Sequence, residues 1–360
     1  MALASRTLKC IRNINRNVSY LTQHTRVTPN RQNVSRIICR YYARTVLVKT
    51  GDVAEKKQRD PAMFFFNDDV QSCLLEMNLR YASKVFEPRK EGQELAPAEL
   101  KFLTEEELEE ARQKAAETSI YYLQLPPVLQ AHQETVEILS KDPELQGLEE
   151  SKILAIDISF GVPDRERLIV ARDLDGTLRH ASREERSRMI QTYFPDPSRT
   201  LEPPALFSPK NLLSLLERSE FEFILDRACA QFEPDDVEYV SITSQTYDYI
   251  EENGKFEYLV GTRHYGSLAF YLAFYGKLDR FLNHCISSRR IEDAVSAVNV
   301  FYLCRPSIVD YKKPSSPDDS DFIKAYITSH AKEKGTLSMT LNAYLELHLP
   351  TAADEAKLSS

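Results

Sequence analysis

Residues 221–232 read Phe221-Glu222-Phe223-Ile224-Leu225-Asp226-Arg227-Ala228-Cys229-Ala230-Gln231-Phe232. The apolar positions Phe221, Ile224, Leu225, Ala228, Cys229 and Phe232 recur at i, i+3, i+4, i+7, i+8 and i+11, the period of a helix with one buried face. Val237, Val240, Ser244, Tyr247 and Ile250 extend the pattern, as do Ile291, Ala294, Val295, Val298 and Tyr302. Asn253-Gly254-Lys255-Phe256-Glu257 and Tyr275-Gly276-Lys277-Leu278-Asp279 each put Gly where a helix C-terminus needs positive φ, and a new apolar helix follows. The fold is therefore expected to be mainly α, with a C-terminal stack of helical hairpins. The whole chain of 360 residues has only 10 glycines. Average usage would supply about 25, and sandwiches, barrels and phosphate cradles need many positive-φ turns.

Upstream, the texture is different. Lys152–Phe160 and Arg167–Arg172 suit strands, and Asp175-Gly176 before Leu178 signals a hairpin with a two-residue turn. A small β-hairpin/strand module is expected at about 151–180, followed by a helix that the Ser182/Glu185 capping box opens. Residues 87–150 carry 16 Asp or Glu against 6 Lys or Arg. Within them, Thr104 with Glu107 opens a helix of about fifteen residues, with a narrow stripe of Leu100, Leu103, Leu108, Ala111 and Ala115. Asp68 or Asp69 caps another through Val70, Leu74 and Met77. Five prolines at 195–209 mark a boundary. The expected segments are 1–42, 43–150 (an acidic, partly helical extension), 151–200 (strand, hairpin, helix) and 201–304 (helical hairpins). They continue with 305–321 (a Pro/Ser/Asp loop), 322–350 (two helices, Phe322–Lys334 and Leu337–His348) and 351–360 (a tail).

Residues 1–50 hold ten Lys or Arg and no acid, leaving a net charge of -18 on the remainder. Leu8, Ile11, Ile14, Val18 and Leu21 form a stripe with Lys9, Arg12 and Arg16 off it, which is the pattern of a mitochondrial transit peptide. A basic arm for nucleic acid is the competing reading. Arg40-Tyr41-Tyr42-Ala43 places the cut after Tyr42, and the uninterrupted apolar core of a secretory signal is missing. No membrane span is expected: the apolar uncharged stretch Tyr265 to Gly276 has twelve residues, short of the ~20 that cross a bilayer. Cysteine and histidine spacing encodes neither a disulfide framework nor a metal site, and no cofactor is expected.

Three strings invite chemistry. Asp173-Leu174-Asp175-Gly176-Thr177-Leu178 matches the first motif of haloacid-dehalogenase-type phosphatases, in which the first Asp attacks phosphorus and Mg²⁺ bridges carboxylates. The later strands, Lys and carboxylate pair that such an enzyme needs are missing, so a hairpin with solvated acids is the better reading. Gly261-Thr262-Arg263-His264-Tyr265-Gly266-Ser267 has phosphate-loop spacing but Ser267 where the lysine belongs; close helix packing is expected instead. Residues 163–199 hold eight arginines against seven acids. Of these, Arg165, Arg167, Arg179, Arg183, Arg186 and Arg188 are candidate RNA contacts, because Arg grips phosphate bidentately and stacks on bases. Arg179, Arg183 and Arg186 are spaced to line one face. Pairing with Glu166, Glu184 and Glu185 inside the module is the equally weighted alternative.

The strings Asp157–Arg167 (DISFGVPDRER), Gly176-Thr177-Leu178-Arg179, Ser182–Arg186 (SREER) and Met189–Pro195 (MIQTYFP) resemble the protein-twenty-two family of the mitochondrial small ribosomal subunit. Pro126–Leu129 and Ala230–Asp235 add to the likeness, which spans roughly residues 100–300. The resemblance implies a non-catalytic structural protein of the mitochondrial matrix. It would touch small-subunit rRNA and neighbouring ribosomal proteins and take no small-molecule substrate. Set against it are a matrix phosphatase using Asp173 and a free helical-repeat RNA adapter.

Overall fold

The computed structural model describes residues 59–86, 100–132, 135, 137–146, 150–306, 308 and 314–348. The transit segment 1–42 with its Tyr42 cut, and the tail 351–360, lie outside the described residues. Twelve α-helices and one four-stranded antiparallel sheet are present among the described residues.

The decisive stretch forms a helix, α6 (Phe221–Gln231), with Phe221, Ile224, Leu225 and Ala228 fully buried. It packs on α7 (Val237–Asn253) and is preceded by α5 (Pro209–Glu217). The apolar stripe of α7 is shifted from expectation. Val237 is exposed, whereas Tyr239, Ile242, Thr246, Tyr247 and Ile250 are buried. Tyr239 is drawn in by α6, its hydroxyl lying 3.6 Å from Cys229 Sγ. There follow α8 (His264–Tyr275), α9 (Asp279–Ser287), α10 (Ile291–Leu303), α11 (Ser320–Ser329) and α12 (Lys334–His348). Gly254 and Gly276 close α7 and α8 at φ +66° and +68°, as their spacing predicts. The backbone N–H groups of Lys255 and Lys277 each donate back to a carbonyl of the last turn, Ile250 and Leu272. Helix α8 is the centre of the stack, with every residue from His264 to Ala273 buried.

The part read as an N-terminal extension is divided between two places. Preceded by α1 (Pro61–Phe65), α2 (Asp68–Leu79) packs against α8 and α10 with Val70, Leu74 and Met77 fully buried. Its cap is Asn67, one residue before the predicted aspartates, because the Asn67 side chain accepts from Asp69 N. Asn78 fastens α2 to the stack. Its Nδ2 donates to Leu123 O at 3.2 Å and to Arg263 O at 3.3 Å, and its Oδ1 accepts from Gly266 N at 2.9 Å. Helix α3 (Glu105–Tyr122) has the predicted capping box and runs to 18 residues before the Pro126-Pro127 stop.

β1 (Ile138–Lys141), also from upstream of 151, joins β2 (Ile153–Ile156), β3 (Ile169–Arg172) and β4 (Thr177–His180) in the order β1-β4-β3-β2. The β3–β4 turn is longer than the expected two residues. Asp173 N donates to Thr177 O and Gly176 N to Asp173 O, enclosing Leu174, Asp175 and Gly176. A turn followed by a left-handed glycine suits a three-residue hairpin loop. A Cβ at Gly176 would lie 2.1 Å from Asp142 O, so β1's exit presses on this turn. The sheet leads into α4 (Arg183–Tyr193) through the Ser182/Glu185 capping box.

Candidate nucleic-acid interface

The arginines of the sheet module and α4 are held by several different acceptors. Arg179, on β4, donates to Asp173 at 2.7 and 3.2 Å and to Glu185 at 2.9 and 3.0 Å. Glu185 also caps Ser182 N at 2.9 Å and pairs with Lys152. Arg179 above all, against the cost of burial, holds the Glu185 carboxyl well below its ordinary range. Arg183 leaves α4 for Asp235, at 2.6 Å, and Asp236, just before α7. Arg186 donates to the carbonyls of Arg167 and Asp164 at 2.7 and 2.6 Å.

Arg167 is only 6% exposed. Its guanidinium lies 3.7 Å from the centre of the Phe194 ring and donates to the Asp157 and Ser159 carbonyls at 2.9 and 3.0 Å. Turning that side chain inward takes Arg167 out of the strand predicted there, so β3 starts at Ile169. Arg165 reaches Glu233, which Arg199 holds from the other side at 3.0 Å. Burial works against the Glu233 carboxylate, but Arg165 and Arg199 outweigh it and hold its pKa at about 2. Arg188 differs from the other five: its side chain is 63% exposed and meets only Glu184, at 3.5 Å, in the described contacts.

Pairing within the module thus occurs through Glu184 and Glu185, while Glu166 makes none of these contacts. Arg165 and Arg183 go instead to Glu233, Asp235 and Asp236, which the arginine spacing does not reveal. Their signal in the sequence is an acidic run at the start of α7, too distant in the chain to be matched with Arg165 or Arg183 by inspection.

The other two strings are structural. Asp173 is the partner of Arg179, and Asp175 accepts from the backbone and then the hydroxyl of Thr177, which lowers its pKa. Both lie on the turn of an antiparallel hairpin, not at the end of a parallel strand. Gly261 and Gly266 do not form a phosphate cradle. Gly266 sits inside α8, where a Cβ would meet Leu74 O at 2.9 Å and Leu125 Cδ2 at 2.5 Å. Among the described residues no group of His, Cys, Asp or Glu is placed to hold a metal ion, and no helix is long and apolar enough to cross a membrane.

Comparison with known proteins accords with this architecture. Residues 63–306 match the family described as mitochondrial 28S ribosomal protein S22. The small ribosomal subunit protein mS22 of Bos taurus is 35% identical over 291 residues, covering 80% of each chain. That of Mus musculus is 34% identical over 306 residues, covering 84% of each. The matched region takes in α2, the sheet and the helices through α10, and the chain belongs to the mitochondrial 28S ribosomal protein S22 family.

Proposed function

We propose that the chain is a non-catalytic structural component of the mitochondrial small ribosomal subunit, acting in the mitochondrial matrix in support of translation. Its membership of a ribosomal protein family, with identity of 34–35% across at least 80% of the chain, carries this reading. Its partners there are small-subunit rRNA and neighbouring ribosomal proteins. If the transit segment is cut after Tyr42, the remaining chain has a net charge of about -16. A molecule so acidic does not hold RNA through a general basic field, since RNA affinity comes from neutralised phosphates. Contact through a few placed arginines fits better.

Among Arg165, Arg167, Arg179, Arg183, Arg186 and Arg188, the exposed guanidinium of Arg188 supports it as the first phosphate contact. The partly exposed Arg165 and Arg183 come next. Arg167 and Arg179 serve the reading indirectly, by shaping the module that presents the others.

Sedimentation of a mitochondrial lysate carrying the epitope-tagged protein tests the proposal. The tagged chain should travel with small-subunit rRNA. Migration away from it, as a free RNA adapter would show, overturns the reading.

A further inference from the structure

Helix α3 stands apart from the stack. Its 18 residues span about 27 Å at 1.5 Å per residue, yet only its C-terminal end, near Ser119 and Leu123, is buried. Glu105, Glu106, Glu107, Glu109 and Glu110 crowd its first two turns, and the ion pair seen among them is Glu109 with Arg112, at 3.7 Å. Beside these acids runs an apolar edge. Leu100 and Phe102 are almost fully exposed on the approach to the helix, and Leu103 and Leu108 are exposed beside them. A helix of this length whose residues 105–114 are all exposed among the described residues is marginal in water. Exposed leucine and phenylalanine flanked by charge mark a surface that something else covers.

We infer that α3 and its approach form a docking arm for a neighbouring ribosomal protein with a lysine- or arginine-rich surface and an apolar groove. The inference rests on the ribosomal reading above. Charge decides the kind of partner: five glutamates in two turns repel an RNA backbone and attract a cationic protein. The leucines and Phe102 supply the apolar contact that a helix-in-groove interface needs.

Intact mitochondrial small subunits treated with a water-soluble carbodiimide provide the test, because this reagent joins a carboxylate only to an amine it already touches. Peptides bearing Glu105, Glu106, Glu109 or Glu110 should be joined to a lysine of another ribosomal protein. In cells whose only copy carries L103S/L108S, the yield of that product should fall at least about tenfold, equivalent to 1.4 kcal/mol of binding. The melting temperature of the purified variant should be unchanged, since both leucines face solvent. Joining only to lysines of the same chain, or an unchanged yield in the variant, overturns this inference and leaves the ribosomal reading standing. Absence of the chain from the subunit fraction overturns both.

Discussion

Arg80, just past the end of α2, donates to the fully buried carboxylate of Asp293 at 2.6 Å, across 213 residues of sequence. Tyr81 and Tyr265 complete the ring, their hydroxyls donating to Asp293 Oδ2 at 2.7 and 3.0 Å. Burial, followed by this hydrogen bond to Asp293, raises the Tyr81 pKa. The network clasps the N-terminal segment to α10, so the segment is part of the helical core.

Asp293→Asn leaves Arg80 and two tyrosine hydroxyls facing a neutral amide in a buried site. Removing one member of such a pair costs about 3 kcal/mol. Denaturant unfolding should show a lowered midpoint, and limited proteolysis should cut first between residues 59 and 86. A midpoint equal to that of the wild type would show that the clasp contributes nothing.

Close packing predicts opposite outcomes for two helical glycines. Gly266→Ala drives a Cβ into Leu74 O and Leu125, an overpacking that costs about 1–3 kcal/mol. Gly335→Ala, in α12, meets nothing within 4 Å and should stabilise by up to about 1 kcal/mol. Melting temperatures that moved the same way in both variants would contradict this.

A glycine shortage leaves its mark on two helix ends that have no glycine. Arg289 follows α9 at φ +59°, with its backbone N–H donating to Ile286 O and that of Arg290 to Cys285 O. A left-handed residue with a Cβ costs about 1–2 kcal/mol. Arg289 is exposed, so Arg289→Gly should raise stability by about 1 kcal/mol in equilibrium unfolding. A destabilised variant would mean that the side chain contributes more than its backbone strain costs.

Glu233 sets a pH dependence. Its folded pKa of about 2 lies below the usual 4.5, so its ionised form stabilises the fold above the unfolded value. That stability is lost as pH falls from about 4.5 towards 2, and amounts to up to about 3 kcal/mol. The stability difference between wild type and Glu233→Gln should therefore be greatest at neutral pH and shrink in acid. A difference that stays constant from pH 6 to pH 3 would show that Arg165 and Arg199 do not hold the carboxylate.

The arginines should separate by role. Arg179→Glu sets three carboxylates against one another and should destabilise the hairpin and α4 together. Arg188→Glu removes one exposed pair worth about 0.3–0.5 kcal/mol and should leave the melting temperature nearly unchanged while reducing incorporation into the subunit. Equal melting of both variants would refute the division, and normal incorporation of Arg188→Glu would remove it as an rRNA contact.

Sequence alone determined what local chemistry controls. The periodicity of 221–232 fixed a helix, Thr104/Glu107 and Ser182/Glu185 placed two helix starts, and Gly254 and Gly276 placed two ends. Each of these signals acts within about one turn of chain, through side chains and backbone that are already neighbours. The motifs also sufficed to point to the family. Tertiary structure alone decided that α2 belongs in the helical core and that Ile138–Lys141 pairs with β4. It also decided that Arg165 and Arg183 turn towards Glu233 and Asp235. In these cases the partner lies tens to hundreds of residues away, and burial, not spacing, selects it. A carboxylate such as Asp293 pays for desolvation only with donors on several elements, and no stretch of sequence contains them together.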